Sequence, residues 1–209
     1  MSLTKSSLNQ AKIQKAFSVF EKHYKLVPLE IFGNNPYKTL VSTLLSSRTN
    51  DDTTLPASQR LFQKAPNIKK LDQLNQLEIR NLIYPVGFYK VKSNHLKKLS
   101  RKVIANFNGK IPDTREELMS LPGVGRKTAN LVLNRAFKKP AIAVDTHVHR
   151  ISNLLGWVYT KTPQQTETQL IEFLPQKYWG QANRLMVSIG RQYRSHEKLE
   201  KFLKKEKLI

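Results

Sequence analysis

Two residues of this sequence, Lys127 and Asp145, could together carry covalent chemistry. Lys127 stands beside Arg126 at the start of a predicted helix. A lysine next to a second cation at such a position is a candidate nucleophile for Schiff-base formation. The alternative is that Lys127 is one more phosphate-binding lysine in a chain with 36 lysine and arginine residues. A carboxylate partner would favour the first interpretation.

Asp145 is the candidate carboxylate. The helix predicted from Arg126 to Phe137 is about 17 Å long. The segment before Asp145 can return in an extended conformation, at up to ~3.3 Å per residue. Asp145 could therefore lie near Lys127. Alternatively, Asp145 is the N-cap of a helix that begins at Thr146; the two roles are compatible because a cap holds its carboxylate rigidly.

A glycine hairpin, Leu121–Gly125, must position Lys127. Thr114 and Glu117 have the spacing of a capping box and predict a short helix before it. Two glycines and a proline then break that helix, and apolar spacing typical of a helix resumes at Arg126. The backbone N–H groups at this helix start form a phosphate site. A P-loop is excluded because Arg126 separates the glycine from Lys127 and the flanks are helical.

Two other residues could enter a nucleic-acid groove. Arg48 follows a helix predicted from Pro36 to about Ser47, and its alternative is a solvated loop arginine. Phe88 lies in a break before a basic amphipathic helix, Val91–Phe107, and could be a wedge into a base stack or a core residue. The lysines of this helix are interpreted as a solvated face. His147 and His149 are two residues apart, a spacing that does not favour a helical metal site.

No segment alternates as a strand, so the predicted fold class is all-α. Further predicted helices are an N-terminal one with the apolar stripe Ile13, Phe17, Phe20 and Tyr24, then Thr54–Gln63, one opened by Thr162 and Pro163, Trp179–Ile189, and the basic tail after Arg194.

Composition limits the function classes. The chain has 209 residues and a formal net charge of +21, which favours a polyanionic partner without choosing among DNA, RNA and an anionic membrane surface. It contains no cysteine, so neither a disulfide nor a thiolate metal site can form. No run of 18 apolar residues occurs, and we therefore expect no membrane span.

The motifs resemble those of the endonuclease III family, in the helix-hairpin-helix DNA glycosylase superfamily. The resemblance rests on LPGVGRKTAN followed by AVDTHV, and it extends upstream through LLSSRTND and VGFYKVKSNHL. It implies that Lys127 is the nucleophile and Asp145 the essential carboxylate. It also implies a set of DNA-contacting residues: Arg48, Phe88, Gly123, Val124, Gly125, Arg126, Thr128 and His147.

The resemblance implies two helical lobes. A six-helix lobe would span residues 28–139 and carry the hairpin. The second lobe, formed by residues 1–27 and 140–209, would carry Asp145, with the hairpin beside the cleft between them. The implied function is a bifunctional DNA glycosylase and AP lyase that acts as a monomer on oxidised pyrimidines or abasic sites in double-stranded DNA. The implied location is the cytoplasm, with the nucleoid, if the source is prokaryotic.

Two departures from the family accompany this resemblance. Family members usually hold an iron–sulfur cluster on four cysteines that begin shortly after a Gly-Arg pair; here Gly190 and Arg191 precede no cysteine. No cluster is therefore expected, although an alkali cation could bind the hairpin. The basic tail occupies the cluster's place and could contact phosphates instead. The family also usually has glutamine where this chain has Arg48.

Two alternative functions remain open at this point. One is a mismatch or other-lesion glycosylase on the same fold, which the arginine at position 48 favours. The other is a non-catalytic helix-hairpin-helix DNA-binding protein, which the high charge and the missing cysteines favour. Retention of both Lys127 and Asp145 argues against the second alternative, because phosphate binding alone does not need the pair.

Overall fold

The computed structural model describes the backbone of residues 5–209 and the side chains of residues 9–209. Its regular secondary structure in this range is entirely helical, which confirms the predicted all-α class. Two 3₁₀ helices, Pro28–Phe32 and Gln176–Tyr178, accompany the α-helices. The α-helices are α1 (Lys5–Lys22), α2 (Pro36–Ser46), α3 (Asp51–Lys64), α4 (Ile68–Gln73), α5 (Gln76–Ile83), α6 (Tyr89–Phe107), α7 (Arg115–Met119), α8 (Arg126–Arg135), α9 (Thr146–Leu154), α10 (Pro163–Phe173), α11 (Trp179–Gln192) and α12 (His196–Lys205).

The chain forms two compact units. The middle unit is Pro28–Ala141 and contains α2 to α8. The terminal unit combines the described residues up to Val27 with Ile142–Ile209, and it contains α1 and α9 to α12. Among the described residues, no helix has both the length and the apolar content that crossing a membrane requires.

Asparagine caps set the helix starts of the middle unit. Asn35, Asn50, Asn67 and Asn75 each accept a hydrogen bond from a backbone N–H in the first turn of α2, α3, α4 and α5 respectively. Because Asn50 is such a cap, α3 begins at Asp51, three residues before the predicted start. The helices bury a shared apolar core that includes Leu40, Leu45, Leu61, Leu71, Ile79, Leu96, Leu99 and Leu118.

The terminal unit has its own core. The predicted apolar stripe of α1 is confirmed for Ile13, Phe17 and Phe20, which are all buried, while Tyr24 lies beyond the end of the helix. Stacked aromatic rings reinforce this core, with the centroids of Phe17 and Tyr178 4.4 Å apart. The C-terminal helix α12 contributes three buried side chains, Leu199, Phe202 and Leu203.

Candidate active site

The glycine hairpin joins α7 to α8 within the middle unit. Thr114 caps α7 by accepting from the Glu117 N–H at 3.3 Å, and its hydroxyl in turn donates to the Glu117 carboxylate at 2.7 Å. The chain then turns through Gly123, whose φ of +80° is a conformation that favours glycine. The Val124 N–H donates to the Leu121 carbonyl at 3.1 Å, so this amide stabilises the turn and does not face a ligand.

The two hairpin glycines have different surroundings. A Cβ on Gly123 would lie 2.7 Å from Nδ1 of His95, so the His95 ring of α6 lies directly against the hairpin. A Cβ on Gly125 would meet nothing within 4 Å. Gly125 therefore presents an open face, as close approach of a phosphate requires. Gly125 is also the N-cap of α8, which has no side chain capping its first turn.

Lys127 lies in that first turn of α8. Its side chain is exposed, and within residues 9–209 it makes no hydrogen bond or ion pair. Arg126 is also exposed, whereas Thr128 is buried beneath the turn. The structure thus brings the open glycine, two cationic side chains and the amide end of a helix together on one surface. This surface could bind a phosphate and present an amine beside it.

Arg48 and Phe88, predicted independently from two segments, meet in the structure. The Arg48 guanidinium carbon lies 5.7 Å from the centroid of the Phe88 ring, within cation–π range. Phe88 is 59% exposed, which excludes its interpretation as a core residue. Both residues have positive φ, 54° for Arg48 and 57° for Phe88. We refer to them as the gap-filling pair, after the role that the family resemblance implies for these positions.

One lysine of α6 corrects the sequence analysis. The sequence predicts a solvated face for the lysines of this helix, but Lys92 is only 6% exposed. It lies four residues before Leu96, on the same face as Leu99 and Val103, and this spacing was the available signal. Its ammonium group bonds to oxygens of Ser47 and Thr49, on either side of Arg48, so a buried lysine beside a candidate DNA-contacting residue was missed.

Asp145 is the N-cap of α9 in the terminal unit, as the sequence allowed. One oxygen, Oδ1, accepts from the backbone N–H groups of His147 at 2.9 Å and Val148 at 3.0 Å. Within residues 9–209 the second oxygen accepts no hydrogen bond. The cap therefore fixes the carboxylate while one oxygen remains available for chemistry.

His147 lies against α11. A Cβ on Gly190 would fall 2.2 Å from Nδ1 of His147, so only a glycine admits the ring at this point. His149 bonds instead to the Thr166 hydroxyl at 2.6 Å. The two histidines thus have separate surroundings, and the described residues contain no group of three or more His, Cys, Asp or Glu suited to a metal ion.

Side chains fill the segment after Gly190 and Arg191, where the family resemblance implies the place of an iron–sulfur cluster. The chain has no cysteine, so the residues present do not fit a thiolate-bound cluster. Instead, the rings of Tyr193 and Phe202 stack with centroids 4.3 Å apart. The Arg150 guanidinium donates to the carbonyl of Tyr193 at 3.1 Å, and it also donates to that of Arg194.

Comparisons with known proteins agree with this arrangement. Residues 41–176 match the family model described as HhH-GPD superfamily base excision DNA repair protein. Endonuclease III of Thermotoga maritima is 48% identical over 157 residues, which are 75% of this chain and 74% of that protein. Endonuclease III-like protein 1 of Gallus gallus is 41% identical over 159 residues, 75% of this chain and 57% of that longer protein.

A solved structure gives the same result. The structure described as a trapped endonuclease III–DNA covalent intermediate is 32% identical to this chain, with a TM-score of 0.78. The match covers 94% of this chain and 90% of that one. The family model, the sequence relatives and the fold thus agree: this chain belongs to the endonuclease III family of the HhH-GPD superfamily, and its class is that of a base excision repair DNA glycosylase and AP lyase.

Proposed function

We propose that this protein removes oxidised pyrimidines from double-stranded DNA through an imine on Lys127 and then cuts the strand by β-elimination. The observation that carries the proposal is the exposed, unbonded Lys127 amine in the first turn of α8, beside the open face of Gly125. The solved structure described as a trapped endonuclease III–DNA covalent intermediate, 32% identical to this chain, supports a step in which the protein is covalently attached to DNA.

Binding begins at the hairpin. The N-terminal amides of α8, which no side chain caps, and the exposed Arg126 side chain would hold a phosphate of the damaged strand. An alkali cation on the hairpin's carbonyl oxygens would add positive potential there. A damaged base cannot be attacked at its sugar while it is stacked, so it must leave the helix. Arg48 and Phe88, exposed and in contact, would then occupy the gap.

The chemistry needs one amine. Lys127 Nζ attacks the sugar C1′, the N-glycosidic bond breaks, and the base leaves with the bonding electron pair and takes a proton. The sugar ring opens to an imine between C1′ and Nζ. The imine acidifies the C2′ proton, whose loss expels the 3′ phosphate and cuts the strand. Water then hydrolyses the imine and releases Lys127.

Asp145 would assist the first step. A carboxylate held by two backbone N–H groups is oriented before the substrate arrives. Its second oxygen would stabilise the developing charge on the sugar or accept a proton from the lysine amine. A neutral side chain of the same shape could fill the cap without doing either.

Lys127→Gln tests the proposal. Borohydride reduces the imine to a stable adduct, so wild-type protein should become covalently attached both to a duplex with one thymine glycol and to a duplex with an abasic site. Lys127→Gln should form neither adduct yet keep its DNA affinity within about threefold, because only one of many phosphate contacts is lost.

The matched control is Lys110→Gln, which removes an exposed lysine of the same unit outside the hairpin. It should trap as the wild type does. Persistent trapping by Lys127→Gln would show that another residue is the nucleophile. Wild-type trapping on the abasic duplex alone would keep the lyase and reject thymine glycol as a substrate, and no wild-type adduct on either duplex would favour a non-catalytic binding protein.

A further inference from the structure

A buried lysine lies beside the gap-filling pair. The Lys92 ammonium donates three hydrogen bonds, to the carbonyl of Leu45 at 2.8 Å, the carbonyl of Ser47 at 2.6 Å and the hydroxyl of Thr49 at 3.2 Å. An ammonium group has three donors, so all of them are satisfied. Lys92 is thus a buried lysine whose ammonium group makes all of its hydrogen bonds within the protein.

The acceptors lie on both sides of Arg48. Ser47 precedes Arg48 and Thr49 follows it, so one ammonium group hydrogen-bonds to the residue on each side of Arg48. The Thr49 hydroxyl also accepts from the Gly87 N–H at 3.1 Å, and Gly87 precedes Phe88. A single network therefore connects the two loops that carry the gap-filling pair.

The two loops also approach closely as backbone. A Cβ on Gly87 would lie 3.0 Å from the carbonyl oxygen of Arg48 and 3.0 Å from the Thr49 hydroxyl. Any larger residue would push the loops apart. Glycine at position 87 thus lets the two loops come close enough for the Thr49 hydroxyl to bond to both Lys92 and the Gly87 N–H.

The backbone conformations of the two residues joined by this network are strained. Arg48 and Phe88 both occupy the left-handed region, which residues with a Cβ adopt at a cost of order 1 kcal/mol. Such conformations persist where surrounding bonds impose them. Backbone hydrogen bonds from the Thr49 N–H to the Ser46 carbonyl and from the Tyr89 N–H to the Val86 carbonyl, both 3.0 Å, close the two turns that contain Arg48 and Phe88. The bonds of Lys92 and Thr49 fix these turns relative to each other.

Burial of Lys92 is itself unfavourable. Desolvation lowers the pKa of this lysine to about 8, because the buried site disfavours the charged amine. An apolar side chain at this point would extend the stripe of Leu96 and Leu99 at no such cost. The negative end of α2, to which Leu45 and Ser47 belong, offsets part of the penalty. Packing alone therefore does not account for a lysine here.

We propose that Lys92 is a positioning residue that holds Arg48 and Phe88 ready to enter the gap left by a flipped base. The inference rests on the proposed function, and specifically on the gap-filling role of the pair. It predicts that loss of Lys92 slows base removal when the flipped base leaves an unpaired base in the opposite strand. It predicts little effect on base removal when the opposite strand has no base at that position. General damage to the fold would affect both cases alike.

The test compares two duplexes under single-turnover conditions. One has thymine glycol opposite adenine, and the other has thymine glycol opposite an abasic site, where no orphaned base needs a contact. Lys92→Met, which keeps the apolar length of the side chain, should lower base removal on the first duplex on the order of 100-fold. On the second duplex the loss should be within a few-fold.

Lys98→Met is the matched control, since Lys98 is an exposed lysine of the same helix. It should behave as the wild type on both duplexes. Thr49→Val is a milder second variant, which removes the bridging hydroxyl and keeps Lys92. It should show the same preference for the unpaired substrate at smaller size. If thermal unfolding shows that Lys92→Met does not fold, the Thr49→Val result decides.

Equal losses on the two duplexes, or no loss on the paired one, would overturn the role of Lys92. Arg48→Ala and Phe88→Ala separate this failure from that of the proposed function. If both of these variants act normally on the paired duplex, the pair does not fill the gap and the inference falls with that premise. If they lose activity there and Lys92→Met does not, only the inference about Lys92 fails.

Discussion

The two units hold two of their segments by different means: hydrogen bonds around Arg48 and Phe88 in the middle unit, and ring stacking after α11 in the terminal unit. In the middle unit a buried ammonium group and a threonine hydroxyl hold two strained loops through hydrogen bonds of defined direction. In the terminal unit, around the end of α11, stacked rings of Tyr193 and Phe202 fill the space and Arg150 binds the last carbonyls. Directional bonds restrain conformation, whereas apolar packing mainly supplies stability.

The segment after Gly190 and Arg191 is held together without any cysteine side chain. Here the helix α12 buries Leu199, Phe202 and Leu203, which contribute apolar area. Of the lysines on its outer face, Lys201 and Lys204 pair with glutamates at 2.7 Å. These pairs weaken the positive surface that the tail could offer to phosphates.

The largest expected change in stability comes from removing part of the aromatic stack in the terminal unit. Phe202→Ala should lower the free energy of unfolding by about 3–5 kcal/mol, because it removes a buried ring and leaves a cavity against Tyr193. Urea denaturation measures this. Tyr159→Ala, at a ring that is 84% exposed in the same unit, should change stability by less than about 0.5 kcal/mol.

A small effect of Phe202→Ala would mean that α12 is not integral to the terminal unit. In that case the cohesion attributed to the aromatic stack would have to come from Arg150 and its carbonyl partners. An iron chelator should leave the wild-type unfolding curve unchanged, because no cysteine is present to hold a cluster.

A smaller change is expected from the hairpin of the middle unit. Gly123→Ala should cost about 2 kcal/mol, because alanine is strained at a φ of +80° and its Cβ would meet the His95 ring. Gly125→Ala should leave stability nearly unchanged, since its φ is −97° and its surroundings are open, yet it should weaken DNA binding. Thermal unfolding and binding titrations of the two variants provide the measurement.

If Gly125→Ala bound DNA normally while remaining folded, the open face of the hairpin would not be the phosphate site. If Gly123→Ala were as stable as the wild type, the middle unit would not depend on its close backbone approaches. Either result would weaken the contrast between the close backbone geometry of the middle unit's loops and the ring stacking after α11 in the terminal unit.

The smallest change in stability is expected where the terminal unit has a chemical role. Asparagine caps helices as well as aspartate does. The free energy of unfolding of Asp145→Asn should therefore lie within about 0.5 kcal/mol of the wild-type value. It should nevertheless lose turnover on the order of 100-fold, since it lacks the charge. Asp145→Ala should also lose about 1 kcal/mol through the missing cap.

A non-catalytic binding protein would give a different outcome with these variants. Removing the negative charge of Asp145 would then leave DNA binding unchanged or improve it, with no turnover to lose. Retained turnover in Asp145→Asn would limit this residue to capping α9.

Local sequence patterns predicted most helices of the fold and the hairpin. Capping residues such as Asn35 and Thr162 and the glycines of the hairpin act within a few residues, so their effect can be read from neighbours. The N-cap at Asn50 was missed because Pro56 and a polar stretch concealed the first turn of α3.

Long-range contacts could not be predicted in the same way. Arg48 and Phe88 were each proposed as DNA contacts, but their meeting depends on two loops that are far apart in sequence. Lys92 was missed because lysine is rarely buried, and only the carbonyls of another helix end explain its position. The relation of Lys127 to Asp145 stays a prediction.

The left-handed backbone at Arg48 and Phe88 limits which amino acids can replace these two residues. A β-branched residue at either position would be a conformational outlier, whereas asparagine, aspartate and histidine enter this region more readily. A randomised library at both positions, selected for folding and repair, should therefore return unbranched side chains and exclude valine, isoleucine and threonine. Any new preference for a lesion would have to arise from the remaining, unbranched amino acids at these two positions.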